Sequence, residues 1–244
     1  MKVSCLGDSF ANGPNEWPQI LAANHPNWTL NYCGIGGQTL GRLYSDYFPA
    51  CVLAYSPDYA FIQGGTNNAL KGHNLAAAQS SIISFYTDCI AAGIVPVFFE
   101  IAPLGGSEDW TEDIQTFIES YNAWLASYCA TNSIQCVLIY DALRDGIALA
   151  AEYDSGDGVH PNYAGELVIE SQIVLSGSSV TTEDGNSIQI SYTEFGADWF
   201  LENNITDFAE AGLSINTIQF IPSAANDSSS RHRCRGTSTG WSDG

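Results

Sequence analysis

Positive charge is scarce in this chain: seven Lys and Arg stand against 27 Asp and Glu, a net charge of −20 over 244 residues. Only Lys2, Arg42, Lys71 and Arg144 precede position 230. Such a surface repels phosphate backbones and anionic headgroups, which speaks against nucleic acid or acidic lipid as a partner. Long apolar runs are lacking too. None reaches the ~18 residues that a membrane span requires, so stable membrane insertion is not expected. The opening Met1-Lys2-Val3-Ser4-Cys5-Leu6 is too short and mixed for a secretion signal. The expected location is therefore the cytoplasm, with a virion-associated or released form as the alternative. The sequons at Asn27, Asn204 and Asn226 carry little weight without a secretion signal.

Cysteine pairs at metal or redox spacing are absent. The seven cysteines, at 5, 33, 51, 89, 129, 136 and 234, form no CxxC, and most sit inside apolar runs. Buried reduced thiols are expected rather than a disulfide framework. His25 and His73 lie in polar loops with no ligand partners at metal spacing, and His232 lies near the C-terminus, so no metal is expected. Gly34-Ile35-Gly36 lacks the GxGxxG spacing, and there is no P-loop, so no nucleotide cofactor is expected.

What is present is an alternation of short β-rich runs with helical patterns as far as residue 176. Strands are expected at Val3–Leu6, Trp28–Cys33, Tyr59–Gln63, Ile94–Ile101 and Ile134–Tyr140. Leu75, Gln79, Ile82, Tyr86, Cys89 and Ile90 fall on one helical face, with Gly93 as the stop. Ile114, Phe117, Ile118, Tyr121, Leu125 and Tyr128 fall on another. Asn162 can cap a last helix with the stripe Ala164, Leu167, Val168, Ser171, Val174 and Leu175. Alternation of this kind predicts a parallel sheet covered by helices on both faces.

Beyond residue 176 the character changes. Gly177-Ser178-Ser179 reads as a linker, Ile188–Tyr192 as a strand, Ala197–Ala211 as a helix and Leu213–Ile221 as a strand. Residues 223–244, rich in Ser, Gly, Asn and Asp, read as a disordered tail. The expected organisation is a domain at 1–176, a small α+β extension at 177–222 and that tail.

Ligands of an open parallel sheet bind outside the carboxyl ends of its strands, at a switch in strand order. A 2-1-3-4-5 order brings three loops together there: Gly7-Asp8-Ser9-Phe10, Gly34-Ile35-Gly36-Gly37-Gln38-Thr39 and Gly64-Gly65-Thr66-Asn67-Asn68. Asp157-Gly158-Val159-His160-Pro161, just before the last helix, can fold over the same edge. These residues suit acyl transfer. A serine hydroxyl needs a base, and His160 can be that base for Ser9, with Asp157 fixing its tautomer. The N–H groups of Ser9 and Gly37 and the Asn67 amide can receive an oxyanion. Glu100 and Trp17, Trp110 and Trp124 read as structural.

As an ordered set, these blocks resemble those of the SGNH or GDSL hydrolases: Gly7–Phe10, Gly34–Thr39, Gly65–Asn68 and Asp157–His160. The resemblance spans residues 1–176. It implies a flavodoxin-like α/β/α fold with a five-stranded parallel sheet, and Ser9, Gly37, Asn67 and His160 as the four naming residues. The family spacing selects Gly37, with Gly36 as the fallback. Phe10 stands in place of the usual Leu. Asn68 stands in place of the usual Asp, so a less firmly supported loop is expected. The implied activity is hydrolysis of carboxylic esters, short-chain acyl or O-acetyl, on a small-molecule or carbohydrate substrate through an acyl-Ser9 intermediate. A lysophospholipase or thioesterase on the same triad is one alternative. The other is a binding or virion structural module with a vestigial site.

Overall fold

The computed structural model describes residues 1–72 and 74–173, together with the backbone of 179–181 and 187–189. Five apolar runs form strands: β1 (Lys2–Gly7), β2 (Thr29–Gly34), β3 (Tyr59–Ile62), β4 (Val95–Phe99) and β5 (Gln135–Val137). They pair in parallel in the order β2-β1-β3-β4-β5. The connections carry α1 (Trp17–Asn24), α2 (Leu40–Arg42), α3 (Thr66–Leu70), α4 (Leu75–Ala91), α5 (Glu112–Thr131), α6 (Tyr140–Leu143) and, after the sheet, α7 (Tyr163–Ser171). A small antiparallel pair, β6 (Arg144–Asp145) and β7 (Ala148–Leu149), lies between α6 and α7.

Alternation of side chains along each strand builds a three-layer α/β/α body. On one face Trp17 of α1 packs against Phe61 and Phe99, with ring centroids 6.0 and 4.7 Å apart, and α7 lies beside α1. On the other face Leu6, Ala60, Ile62 and Phe98 meet Leu40, Leu43, Phe85, Ile118, Tyr121 and Leu125. Both faces are therefore buried, which is why β1, β3 and β4 read as nearly unbroken apolar runs.

The helices begin and end where their termini can be satisfied. Thr111 accepts the Ile114 N–H at 3.2 Å, and Glu112 and Asp113 complement the dipole of α5. Asn162 Oδ1 accepts the N–H groups of Ala164 and Gly165 at 2.9 and 3.2 Å. Gly93 takes φ +72° just past α4, and the Ile94 N–H closes on the Cys89 carbonyl at 2.9 Å.

Several expectations are corrected. α7 buries Gly165, Glu166 and Ile169, whereas Leu167 is 40% exposed. The helix is thus rotated from the stripe expected for it, because a carboxyl of Glu166 is turned into the core. α4 buries Ala78, Ile82, Phe85 and Cys89 and leaves Ile90 outside. β4 stops at Phe99 because the side-chain amide of Asn122, on α5, replaces the next strand neighbour: it donates to the Ile101 carbonyl at 2.9 Å and accepts the Ile101 N–H at 2.8 Å. β5 ends at Val137, and Tyr140 opens α6, its N–H donated to Glu100 Oε2 at 3.0 Å. That bond also gives Glu100 the structural role expected of it. The segment after α2 continues as two wide π turns, Leu43–Tyr47 and Pro49–Leu53, which the strand-and-helix reading had passed over.

The cysteines depart from expectation most. Cys33, at the end of β2, and Cys51, in the second π turn, form a disulfide across 18 positions. The Cys51 carbonyl is held by Ser4 Oγ at 2.7 Å and Asn31 Nδ2 at 2.9 Å, which brings the second π turn up to the sheet edge. Cys5, Cys89, Cys129 and Cys136 are free thiols. Burial in apolar surroundings pushes the Cys89 thiol up to about 12.

The chain divides into two compact units, Met1–Ile173 and Val174–Gly244. Within the second, β8 (Ser179–Thr181) pairs antiparallel with β9 (Ser187–Gln189). β9 overlaps the start of the strand expected at 188–192, and β8 begins within the expected linker. The expected helix at 197–211, the strand at 213–221, the tail from residue 223, Cys234 and His73 lie outside the described residues.

Candidate active site

The switch in strand order places β1 between β2 and β3, and the loops leaving all three meet. β1 runs out at Gly7, where a Cβ would lie 2.7 Å from Ala11 Cβ and 2.9 Å from Gln63 Oε1. The chain then turns tightly through Ser9–Ala11, with Asp8 as the cap: its Oδ1 accepts the Phe10 N–H at 3.2 Å. This turn lifts Ser9 out of the sheet while Asp8 points inward and is fully buried.

Ser9 Oγ lies 2.8 Å from His160 Nε2. His160 Nδ1 lies 2.7 Å from Asp157 Oδ2. The second carboxylate oxygen of Asp157 accepts the backbone N–H groups of Val159 and His160 at 2.9 and 2.8 Å. Partial burial would raise the Asp157 carboxyl, but these bonds from His160 and Val159 prevail and hold it at about 2. The acid is thus an anion, the tautomer with Nδ1–H is favoured, and Nε2 is left to accept the Ser9 proton. Phe10 packs against the His160 ring at 5.6 Å between centroids.

The 157–160 turn is seated on the backbone of a neighbouring loop. Gly158 has φ +69°, and a Cβ there would lie 2.2 Å from the carbonyl carbon of Gly106. Asp154 Oδ1 collects the N–H groups of Gly156 and Gly158 at 2.8 and 3.1 Å. Gly34 is similarly constrained: a Cβ would lie 1.9 Å from the Ala11 carbonyl oxygen. The glycine-rich loop therefore rests directly on the serine turn.

Gly37 has φ +74° and open space where a Cβ would stand. Gly36 lies alongside, its Cβ position 3.9 Å from Ser9 Cβ. Lys71 Nζ donates to the Gly37 carbonyl at 2.5 Å. Asn67, near the start of α3 and 8% exposed, donates from its amide to Asp8 Oδ2 at 3.2 Å. An amide carries two N–H donors, so one remains for a ligand. Asn68 Oδ1 accepts the Leu40 N–H at 2.9 Å. The asparagine at this position thus ties the β3 loop to the start of α2, so the loop is cross-linked where weaker support was expected.

Ser9, Asp157, His160, Gly37 and Asn67 are all brought to this one edge. Residues that sequence reasoning passed over hold them there. Asp8 reaches Asn67; Gln63 Oε1 accepts the Asp8 N–H at 3.2 Å. Burial drives the Asp8 carboxyl up to about 6, although bonds from Phe10, Asn67 and Gln63 and the nearby His160 pull it down. The signal for Asp8 was its place inside the Gly-Asp-Ser turn; Gln63 gave none. His25 is not part of the site: it stacks on Trp28 at 3.8 Å. Among the described residues there is no cluster of three or more His, Cys, Asp or Glu arranged to hold a metal, and no helix long and apolar enough to cross a membrane.

Comparison with known proteins identifies the family and the fold. Residues 5–167 match the model of the GDSL-like lipase/acylhydrolase family. A protein from Desulfitobacterium hafniense DCB-2, described as of the lipolytic G-D-S-L family, superposes with a TM-score of 0.63 at 25% identity, over 70% of this chain and 96% of the other. A GDSL-like lipase from Bacteroides thetaiotaomicron VPI-5482 gives 0.59 at 23% identity, over 70% and 84%. An acetylxylan esterase from Geobacillus stearothermophilus shares the fold at 17% identity, with a TM-score of 0.60 over 70% and 91%. No curated protein sequence matches the chain.

Proposed function

We propose that this chain, which belongs to the GDSL-like lipase/acylhydrolase family of hydrolases, cleaves carboxylic esters with Ser9 as nucleophile. The observation that carries the reading is the unbroken relay from Ser9 Oγ to His160 Nε2, 2.8 Å, and from His160 Nδ1 to Asp157 Oδ2, 2.7 Å.

In this reading Ser9 Oγ attacks the ester carbonyl while its proton passes to His160 Nε2. The resulting imidazolium is stabilised by the Asp157 carboxylate, which keeps its own charge. The oxyanion receives the N–H groups of Ser9 and Gly37 and the free N–H of the Asn67 amide. Collapse expels the alcohol, which takes the proton from Nε2, and leaves an acyl-Ser9 ester. A water then gives its proton to His160 and attacks that ester. The second collapse releases the acid, and the proton on Nε2 returns to Ser9.

The substrate favoured is a short-chain acyl or O-acetyl ester of a small molecule or carbohydrate. A protein of net charge −20 disfavours polyanionic substrates such as acyl-CoA. A panel of p-nitrophenyl esters and acetylated sugars tests both reaction and acyl length. A fluorophosphonate should label Ser9, and Ser9→Ala should lose label and nearly all turnover. Undiminished turnover in Ser9→Ala would end this reading.

A further inference from the structure

Glu166 is a buried acid with no part in the relay. It is 3% exposed, yet it belongs to the first turns of α7, the helix that follows His160 directly. Its Oε2 accepts the backbone N–H of Trp17 at 2.9 Å, across 149 positions. Trp17 opens α1, so this N–H has no partner within its own helix. A second rung follows one turn along, where Asn24 Nδ2 donates to Glu170 Oε1 at 3.1 Å.

Each end of this bridge is joined, through hydrogen bonds and a short stretch of chain, to one half of the Ser9–His160 pair. The start of α7 is fastened to the turn that carries His160: the Asn162 N–H donates to the Tyr153 carbonyl at 2.7 Å, and Asn162 Nδ2 donates to the carbonyls of Glu152 and Asp154 at 2.9 and 3.1 Å. Gly165 is pressed against Pro161, where a Cβ would lie 2.7 Å from Pro161 Cβ. On the other side, the turn that carries Ser9 leads into α1, with Glu16 Oε2 accepting the Gly13 N–H at 2.5 Å just before it. A shift of α7 against α1 therefore changes the distance between Nε2 and Oγ.

We propose that Glu166 is a positioning residue for the Ser9–His160 pair, a clamp that closes as the neutral acid and loosens on ionisation. The carboxyl group accepts the Trp17 N–H whether or not it carries a proton. Its surroundings, however, are acidic: the charges of Glu16, at the N-cap of α1, and of Asp8, just past β1, act on it, while Glu170 lies further along its own helix. Among the described residues no Lys, Arg or His pairs with it. Burial first, then the charges of Glu16 and Asp8, outweigh the Trp17 bond and push this carboxyl up to about 8. Ionisation above that pH strengthens the single Trp17 bond but leaves a buried anion without a cationic partner beside Glu16 and Asp8, and water must enter between the helices to solvate it.

The inference rests on Ser9 being the nucleophile, and the test separates the two ideas. The rate of fluorophosphonate labelling at Ser9 and kcat/KM on p-nitrophenyl acetate are measured from pH 6 to pH 10 in the wild type and in Glu166→Gln. Glutamine keeps an acceptor for Trp17 and cannot ionise. In the wild type both rates should fall through pH ~8, approaching about tenfold per unit. Glu166→Gln should remove that alkaline fall with KM unchanged. An identical alkaline fall in Glu166→Gln overturns the clamp while leaving the esterase reading intact; a wild type that neither labels at Ser9 nor turns over overturns both. Thermal unfolding gives an independent readout. The folded carboxyl titrates near 8 and the unfolded one near 4.5, so the wild type should lose Tm relative to Glu166→Gln as pH rises from 4.5 to 8, then run parallel. A constant Tm difference across that range would show that Glu166 holds no proton there and would also overturn the proposal.

Discussion

The amide of Asn67 is bound to the carboxyl of Asp8, 3.2 Å away, and Asp8 is the residue immediately before Ser9. In the proposed mechanism this bond ties one oxyanion donor to the same turn that carries the nucleophile. Asn67→Ala should lower kcat by about 10²–10³-fold with little change in KM, because the bond strengthens in the transition state. In Asp8→Asn an amide N–H competes for the position of the acceptor, so a smaller kcat loss is expected, again with KM near the wild-type value. Steady-state kinetics on one short ester read both; a KM effect with kcat intact would make Asn67 a ground-state binding residue.

Gly34 and Gly41 provide a contrast in packing. A methyl at Gly34 would meet the Ala11 carbonyl at 1.9 Å, whereas at Gly41, inside α2, the nearest atom is Ser81 Oγ at 3.7 Å. Gly34→Ala should cost about 3 kcal/mol or more and reduce activity, since the backbone beside Ser9 must move. Gly41→Ala should be neutral or gain up to about 1 kcal/mol from helix propensity. Urea unfolding of the two variants checks the pair, and equal stabilities would refute the described approach of Gly34 to Ala11.

The Cys33–Cys51 bond closes a loop of 18 positions. Removing it as Cys33→Ser with Cys51→Ser should lower unfolding stability by about 3 kcal/mol. Reductant should lower the midpoint of the wild type and leave the double variant unmoved. A wild type insensitive to reductant would return these two residues to the thiol state that the sequence alone suggested.

Asp157 titrates at about 2 in the folded chain, below the 3.8 of an ordinary aspartate. A lowered folded value contributes stability above pH ~4 that is lost as pH falls through ~2. The group is half exposed, so this contribution is modest, and the larger effect is on activity. Asp157→Asn should lower kcat by about 10⁴-fold, because the amide favours the wrong imidazole tautomer. It should also flatten the acid end of the stability profile. Near-normal turnover in Asp157→Asn would remove this residue from the relay.

The strands, their order and the four site blocks were legible because each is a local pattern: apolar runs, a glycine at a forced turn, and a histidine three positions after an aspartate. Features that depend on residues far apart in the chain were not. Asn122 holds Ile101, just past the end of β4, from 21 positions away. Asn68 reaches Leu40 over 28 positions, and the sequence showed only that the usual aspartate was missing. Cys33 and Cys51 lie in apolar surroundings that look the same for a thiol and a half-cystine. The face of α7 was misread because an apolar count places Glu166 outside, while the Trp17 N–H gives its carboxyl a partner inside.

Asp157 and His160 share one short turn, and their link is only three positions long; the contact between His160 and Ser9 crosses 151. In the proposed mechanism the base and its orienting acid thus behave as a single part, and the nucleophile as another. Moderate heat or denaturant that disturbs the packing between the chain's early and late segments should part the serine from an imidazole that is still correctly aligned. Inactivation would then precede melting and reverse on cooling without any slow rebuilding of the dyad. It would behave as a switch at one joint rather than as gradual wear of the whole site.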